Sequence, residues 1–483
     1  MLPLLENFFS RLNSSGIRYC HWKSNSHLKS GLLGDTDLDL LVHENQRQQF
    51  EQSLVGCDFK RVMSPRLRHY PGIEHYLGLD SDTGKIAHLH VHYRLIVGRR
   101  YFKNYHLPVE DFMLGDLRSI NGVYVPCVEG ELLLLVIRAS MKLSFFDILN
   151  YIAGKRAMPL PEGLCEEFGW VQSDFDDGKL ADASVKSGLP VSVRRVVEFA
   201  RIIREGRLKV AKIVVMRSHV LRALRPLRLQ PPLQAFRRAL LIRFRSATIL
   251  TRFLPAAGKT FGGRGKTIAL VGADGSGKTT MCGALTKRLG RKLWVERYYL
   301  GSGQPTLFNR FLRLWVIPML VPHRLWPREA WARLLRHYGH GVIELLNARD
   351  RLVRFRKGFR SASKGCMVFF DRYPVWGVAD QPALLKKEGE FASEPLARWI
   401  VKRVYGTYRQ IREPDLLIHL SLPPEVASSR KPQHDKEVIA AKEARLKVLS
   451  EQSAGNGKVF VVDASKSQEG VLHDILMEVW RSV

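Results

Sequence analysis

The stretch Gly272-Ala-Asp-Gly-Ser-Gly-Lys-Thr279 satisfies G-x-x-x-x-G-K-S/T, the pattern of a phosphate-binding P-loop. Its flanks constrain the fold. Lys266-Thr-Ile-Ala-Leu-Val-Gly272 is a short apolar run, which predicts a buried parallel strand, and Lys278 to Leu289 has helical spacing. Strand, Gly-rich loop and helix in that order turn backbone N–H groups and a helix N-terminus toward one point, a geometry that suits a polyphosphate. The expected nucleotide-binding set is Gly272, Ala273, Gly275, Ser276, Gly277, Lys278, Thr279 and Thr280. Lys278 would reach the β- and γ-phosphates of ATP, and the Thr279 hydroxyl would hold Mg²⁺.

Length and charge set the frame around this loop. A chain of 483 residues predicts two or three domains. The apolar start contains an early Glu6 and no preceding basic region, so a secretory signal is not expected. The longest uncharged apolar run, Leu314 to Pro322, is too short to span a bilayer. Six scattered cysteines without a C-x-x-C pair fit a reducing compartment and a cytoplasmic location. The net charge is +30, and Arg207 to Lys266 holds fifteen Lys/Arg with no Asp or Glu. Basic residues there alternate with Leu, Ile, Val and Phe, a pattern open to three readings. It can be a solvated helical connector, a contact for the anionic inner face of a membrane, or a nucleic-acid contact.

The chain reads as three blocks. Residues 1–125 mix strands and helices, 126–265 are helical and strongly basic, and 266–483 alternate strand and helix. Candidate strands in the last block are Thr267–Val271, Trp294–Leu300, Met367–Phe370, Leu416–Leu420 and Val459–Val462. They are separated by helical stretches, including Arg328–Lys357 and Lys436–Leu449. Apolar strands alternating with helices predict an α/β fold, a doubly wound parallel five-stranded sheet. Gly262-Gly-Arg-Gly265 marks a hinge before its first strand.

Three further elements accompany the loop. Met367-Val-Phe-Phe-Asp371-Arg372 places Asp-Arg at a strand's carboxyl end, where doubly wound sheets put ligands. Asp371 would complete the Mg²⁺ shell, and Arg372 would neutralise a phosphate oxygen. Pro414 to Lys431 leads a strand through Pro-Pro-Glu into a helix carrying Arg430, whose charge would balance that of a transition state in a closing segment. Val459-Phe-Val-Val-Asp463-Ala-Ser465 is a last strand and loop that would frame adenine.

Taken together, these elements resemble the thymidylate kinase family of nucleoside monophosphate kinases. The resemblance covers about 215 residues and rests on the Asp-containing P-loop, Asp371-Arg372-Tyr373, and Leu420-Ser-Leu-Pro-Pro-Glu425 through Arg430. It implies that Asp274 lies near the acceptor sugar, that Arg372 touches the acceptor phosphate, that Arg349 or Arg351 contributes to substrate binding, and that the protein is a homodimer. Two segments depart from the family pattern: Tyr299-Leu-Gly-Ser-Gly303 stands in place of Arg-Glu-Pro, and Pro374-Val-Trp-Gly-Val-Ala replaces the thymine-framing Tyr-Gln. The acceptor is therefore left open. The insert Leu307–Arg336, rich in Trp, Leu and Arg, either builds a different acceptor pocket or packs into a core.

In the first block, Asp37 and Asp39 stand at i and i+2 of a strand, on one face, as two-metal nucleotidyl transfer requires. Lys23-Ser24 precedes them at the spacing of a Gly-Ser loop, with lysine at the glycine position. Ile86-Ala-His-Leu-His90-Val-His92 occupies the strand that would carry a third acid. The block resembles an α+β nucleotidyltransferase. The whole chain resembles bacterial fusions of such a domain to a thymidylate kinase-like domain, many of them similar to products of surface-polysaccharide gene clusters. Three functions follow as expectations: an ATP-dependent phosphotransferase, an ATP-binding scaffold or regulator, or an active nucleotidyltransferase.

Overall fold

A computed structural model describes residues 1–99, 102–142, 145–155, 160–171, 176–205, 207–246, 258–301, 303–326, 328–374, 395–430, 436–453 and 459–483. The chain forms two compact units, Met1–Ala257 and Gly258–Val483.

The first unit is built on strands β1 (Tyr19–His21), β2 (Leu38–Val42), β3 (Lys60–Val62), β4 (Ile73–Leu79) and β5 (Ile86–His92), in the order β1-β2-β5-β4-β3. Only β2 and β5 pair in parallel; the other pairs are antiparallel. Two hairpins follow, β6 (Leu95–Arg99) with β7 (Phe102–Leu107) and β8 (Leu117–Ile120) with β9 (Val123–Pro126). Alternation along β2 explains the layering. Leu38, Leu40 and Val42 join a core with Phe8, Phe9 and Leu89, whereas Leu41 joins a second core. That second core includes Leu133, Phe199, Ile213 and Val220, from helices Val128–Lys142, Val193–Arg204 and Val210–Ala223. The described helices of the block expected as a connector therefore pack into the first unit. Its cations also make internal bonds: Arg217 Nη1 donates to the Met141 carbonyl at 2.8 Å and Arg238 Nε to the Leu67 carbonyl at 3.0 Å.

The second unit contains β10 (Thr267–Gly272), β11 (Val295–Tyr299), β12 (Met367–Asp371), β13 (Leu416–Ser421) and β14 (Val459–Asp463). Their order is β11-β12-β10-β13-β14, and every pair is parallel. Every residue of β10 and β12 is buried, as expected for strands covered on both faces. The helical stretch expected at Arg328–Lys357 is a helix of 34 residues, Ala330–Ser363. The expected hinge is tied down within this unit. Gly265 N–H donates to the Ala362 carbonyl at 2.7 Å, and a Cβ on Gly265 would sit 1.9 Å from the Cys366 carbonyl oxygen. Close backbone approach, not freedom to bend, is what requires glycine there.

All six cysteines are unpaired. Among the described residues no helix is long and apolar enough to cross a membrane. The replaced thymine-framing segment beyond Pro374, and Lys431, lie outside the described residues.

Candidate phosphate site and an Asp–His cluster

Strand β10 is the middle of its sheet, flanked by β12 on one side and β13 on the other. The loop leaving its carboxyl end sits at the point where strand order reverses, the ligand crevice of doubly wound sheets. Glycines give this loop its path. Gly275 and Gly277 have φ of +95° and +86°, and Gly277 caps the helix Lys278–Gly290 in the left-handed region. A Cβ on Gly272 would lie 2.6 Å from both the Leu420 carbonyl oxygen and Ser276 Oγ. Ala273 and Ser276 are buried, whereas Thr280 is exposed in the first helical turn. Lys278 is buried, and its Nζ donates to the carbonyls of Gly272 (3.0 Å) and Ala273 (2.6 Å) and to Ser276 Oγ (3.4 Å).

Thr279 Oγ1 donates to Asp371 Oδ1 at 3.3 Å. Asp371 is fully buried, and its Oδ2 accepts from Arg297 Nη2 at 2.6 Å. A hydroxyl beside a carboxylate is an oxygen donor set, which fits Mg²⁺. Arg372 follows at φ +58°, a left-handed conformation that costs a non-glycine residue on the order of 1–2 kcal/mol. That turn sets the guanidinium over the Tyr299 ring, 5.8 Å from its centroid, and 3.8 Å from Asp274 Oδ1. Thus Lys278, Thr279, Asp371, Arg372 and Asp274 are brought together.

Arg430 Nη1 donates to the Ala464 carbonyl at 3.3 Å, tying its helix to the loop after β14. On the same helix, the Ala427 carbonyl oxygen stands 3.0 Å from where a Cβ of Gly275 would be. The two arginines named for substrate binding have partners outside the loop. Arg351 is buried and donates to the Tyr408 hydroxyl, while Arg349 stacks over Phe308 at 4.4 Å. Arg354 instead reaches the carboxyl end of β11, donating to the Tyr299 carbonyl at 3.0 Å and to the Gln304 carbonyl.

In the first unit, Asp37 and Asp39 have different partners. Asp37 is exposed just before β2 and lies 2.7 Å from His88 Nδ1. Asp39 Oδ1 lies 2.7 Å from Lys23 Nζ, 2.7 Å from His90 Nδ1 and 3.5 Å from His92 Nε2. Asp39, His90 and His92 each offer one ligand atom, all within 4.8 Å of one another. Burial pushes His90 down to about 4 against the pull of Asp39, and holds His92 well below the usual imidazole range. Burial alone would raise Asp39, but Lys23 and the two histidines hold it well below the usual carboxylate range. At neutral pH the Asp39 carboxylate therefore faces the neutral imidazoles of His90 and His92. Ser24, at φ +57°, donates through Oγ to Glu167 at 3.0 Å, and Glu167 is paired with Arg138 at 2.8 Å.

The second unit is thus a parallel five-stranded α/β fold with a P-loop at the centre of its sheet. No protein-family model matches the chain. The chain is 27% identical over 215 residues to the "uncharacterized ATP-binding protein YghR" of Escherichia coli (strain K12), covering 42% of this chain and 83% of that protein. It is also 27% identical over 223 residues to the "uncharacterized ATP-binding protein YghS" of the same strain, covering 44% and 92%. Among solved structures, deoxyadenosine kinase from M. mycoides with bound dATP aligns at a TM-score of 0.27 and 16% identity, over 44% of this chain and 98% of that one. The same enzyme with products dCMP and dCDP gives 0.30 and 14%, over 45% and 100%. Scores this low carry no functional argument.

Proposed function

We propose that the unit Gly258–Val483 is an ATP-dependent phosphotransferase of the nucleoside monophosphate kinase type, similar to thymidylate kinases. The observation that carries this reading is the convergence of Lys278, Thr279, Asp371 and Arg372 at the carboxyl ends of two adjacent strands, with Asp274 beside Arg372. Two ATP-binding relatives support the donor. Lys278 exchanges its loop carbonyls for β- and γ-phosphate oxygens, while the backbone N–H groups around Gly275 and Gly277 cradle the chain of phosphates. Thr279 and Asp371 would hold Mg²⁺, which when bound neutralises charge on those oxygens. Arg297 keeps the Asp371 carboxylate aimed. Arg372, held by its left-handed backbone, faces the acceptor and stabilises charge developing on the transferred group. Rate enhancement on this design is positioning and electrostatics, with no covalent intermediate on the protein.

The test is ADP formation by the full chain with Mg-ATP and a panel of nucleoside monophosphates, sugars and lipid-linked sugars. Acceptor-dependent ADP that vanishes in Lys278→Ala is expected. No such ADP with any acceptor, or activity indifferent to Lys278→Ala, refutes the kinase reading. ATP binding without turnover would favour the scaffold alternative.

For the unit Met1–Ala257, the partners of Asp39 favour a nucleotidyltransferase-like binding module over active nucleotidyl transfer. A lysine amine and two imidazoles meet the carboxylate where a magnesium pair needs oxygens, and Asp37 is matched separately to His88. One carboxylate with two neutral imidazoles fits a transition-type divalent ion better than Mg²⁺. Pyrophosphate release from nucleoside triphosphates that is lost in Asp37→Ala/Asp39→Ala would overturn this and establish a transferase.

A further inference from the structure

The helix Leu307–Leu320 is built inside out. Two of its polar side chains, Asn309 and Arg313, face the protein. Asn309 is buried and donates through Nδ2 to Asp350 Oδ2 at 2.8 Å. Arg313 donates to Asn309 Oδ1 at 2.9 Å and to Asn347 Oδ1 at 2.6 Å. Asp350 also fixes the helix start, accepting from the Thr306 backbone N–H at 2.9 Å and its hydroxyl at 2.8 Å. That polar seam and Val316 are turned inward toward the helix Ala330–Ser363, and the larger share of the apolar residues is left outside. Leu307 is 82% exposed, Phe308 52%, Phe311 57%, Leu314 60% and Trp315 73%. Their spacing of three and four residues makes one continuous stripe. Trp326, 51% exposed, follows on the next turn of chain. A stripe this size is far beyond the scattered exposed apolar residues of an ordinary surface.

The charge on this segment identifies the occupant. Residues 302–328 contain Arg310, Arg313, Arg324 and Arg328 and no Asp or Glu. A second copy of the same face would bring one set of guanidinium groups to another, with Glu329, just beyond the segment, the next acid along the chain. An anionic bilayer supplies both complements: phosphate for the guanidinium groups and an acyl boundary for Phe, Leu and Trp. At 14 residues the helix is about 21 Å long, shorter than a hydrocarbon core of about 30 Å, so it lies along the surface and does not cross it.

We propose that the outward face of the helix Leu307–Leu320 is a peripheral docking surface for an anionic phospholipid bilayer. The surface is distinct from the basic helix Pro232–Ser246 of the other unit, and it does not depend on the kinase reading. The experiment is cosedimentation of the full chain with vesicles of phosphatidylcholine alone or mixed with phosphatidylglycerol. Binding to the mixed vesicles that weakens with salt is expected. Phe311→Ser/Trp315→Ser, which changes only exposed side chains, should weaken it by about tenfold or more. Arg310→Glu/Arg324→Glu should abolish the preference for phosphatidylglycerol. Leu233→Ser/Phe236→Ser on the basic helix should leave most of the binding in place, and Lys278→Ala all of it. Circular dichroism of each variant confirms folding. Failure of the wild type to bind mixed vesicles overturns the proposal. So does binding that survives Phe311→Ser/Trp315→Ser but is lost in Leu233→Ser/Phe236→Ser. A dimer that the Phe311/Trp315 variant splits, without vesicle binding, would reassign the face to contacts between copies.

Discussion

Arg297 offers a direct measure of what holds the P-loop end of the sheet together. Asp371 is fully buried, and its two oxygens are met by the Thr279 hydroxyl at 3.3 Å and the Arg297 guanidinium at 2.6 Å. Arg297→Met keeps the stem's volume and removes the charge, leaving a buried carboxylate with one long hydrogen bond. Breaking a fully buried ion pair by deleting one partner costs about 3–5 kcal/mol. The Arg297 side chain is 30% exposed, so water already screens part of that attraction. A cost of about 2–3 kcal/mol to the local stability of β10 and β12 is therefore expected. Native-state hydrogen exchange reads this without requiring the whole chain to unfold in one step. Amides of Met367–Asp371 and Thr267–Gly272 should exchange roughly 30- to 150-fold faster, the same free energy expressed as a ratio. Replacing the partner as well, in Arg297→Met/Asp371→Asn, removes the unpaired charge and should restore most of the protection. If the single variant exchanges like wild type, or the double variant is no better than the single, the pair does not organise the site as argued.

Other outcomes follow from the same geometry. Arg372→Gly relieves a φ of +58° and should raise the melting temperature, by about 1 kcal/mol of stability, while lowering acceptor-dependent ADP formation by about two orders of magnitude or more. Gly272→Ala forces a Cβ to 2.6 Å from the Leu420 carbonyl oxygen, so ATP binding measured by calorimetry should be lost even though Lys278 is intact. In the first unit, Lys103 is pushed down to about 8 by burial and by Lys23, and Lys142 to about 8 by burial and Arg138. Each folded-state value is depressed, so the charged form carries a penalty that is full below pH 8 and fades as pH rises toward the unfolded value of 10.5. Denaturant midpoints of the first unit should therefore rise between pH 8 and about 10, where exposed tyrosines of the unfolded chain begin to ionise. Lys103→Met should stabilise the unit at neutral pH by at most about 3 kcal/mol and flatten that slope.

The strands and loop of the candidate site are legible because each has a short-range signature. Buried parallel strands are unbroken apolar runs, so Thr267–Val271 and Met367–Phe370 could be placed to within a residue of β10 and β12. The loop between strand and helix is fixed by glycines that chemistry demands. Arg297 was not legible. In Val-Glu-Arg-Tyr-Tyr an arginine flanked by polar neighbours reads as solvent-facing, and only the pairing of β11 with β12 reveals Asp371 beside it. Which of Arg349, Arg351 and Arg354 reaches the carboxyl end of β11 is not legible, because three arginines within six residues differ only in helical phase, which sequence spacing does not anchor. For the same reason, periodicity in Leu307–Leu320 shows that one face is apolar but not which way it points; Asp350, far along the chain, decides that. In the first block, the i and i+2 spacing of Asp37 and Asp39 predicts a pair on one face. Their separate partners, His88 and the Lys23–His90 set, become visible only when β2 and β5 align.

The position of β10 in its sheet also governs how this unit comes into being. The strand that carries the P-loop is the first of its unit to be synthesised, yet both its neighbours come much later. The Thr267 backbone and hydroxyl wait for Asp415, 148 residues on. At about 5–20 residues per second, the strand and its Gly-rich loop wait roughly 5–20 s for β12, about 100 residues on, and roughly 7–30 s for Asp415. The sheet of the first unit closes within its first 92 residues and suffers no such interval. Truncation or ribosome stalling between β12 and β13 would therefore leave a folded first unit joined to an aggregation-prone fragment. The strand that carries the Gly-rich loop is thus the one in its sheet that waits longest for its first partner.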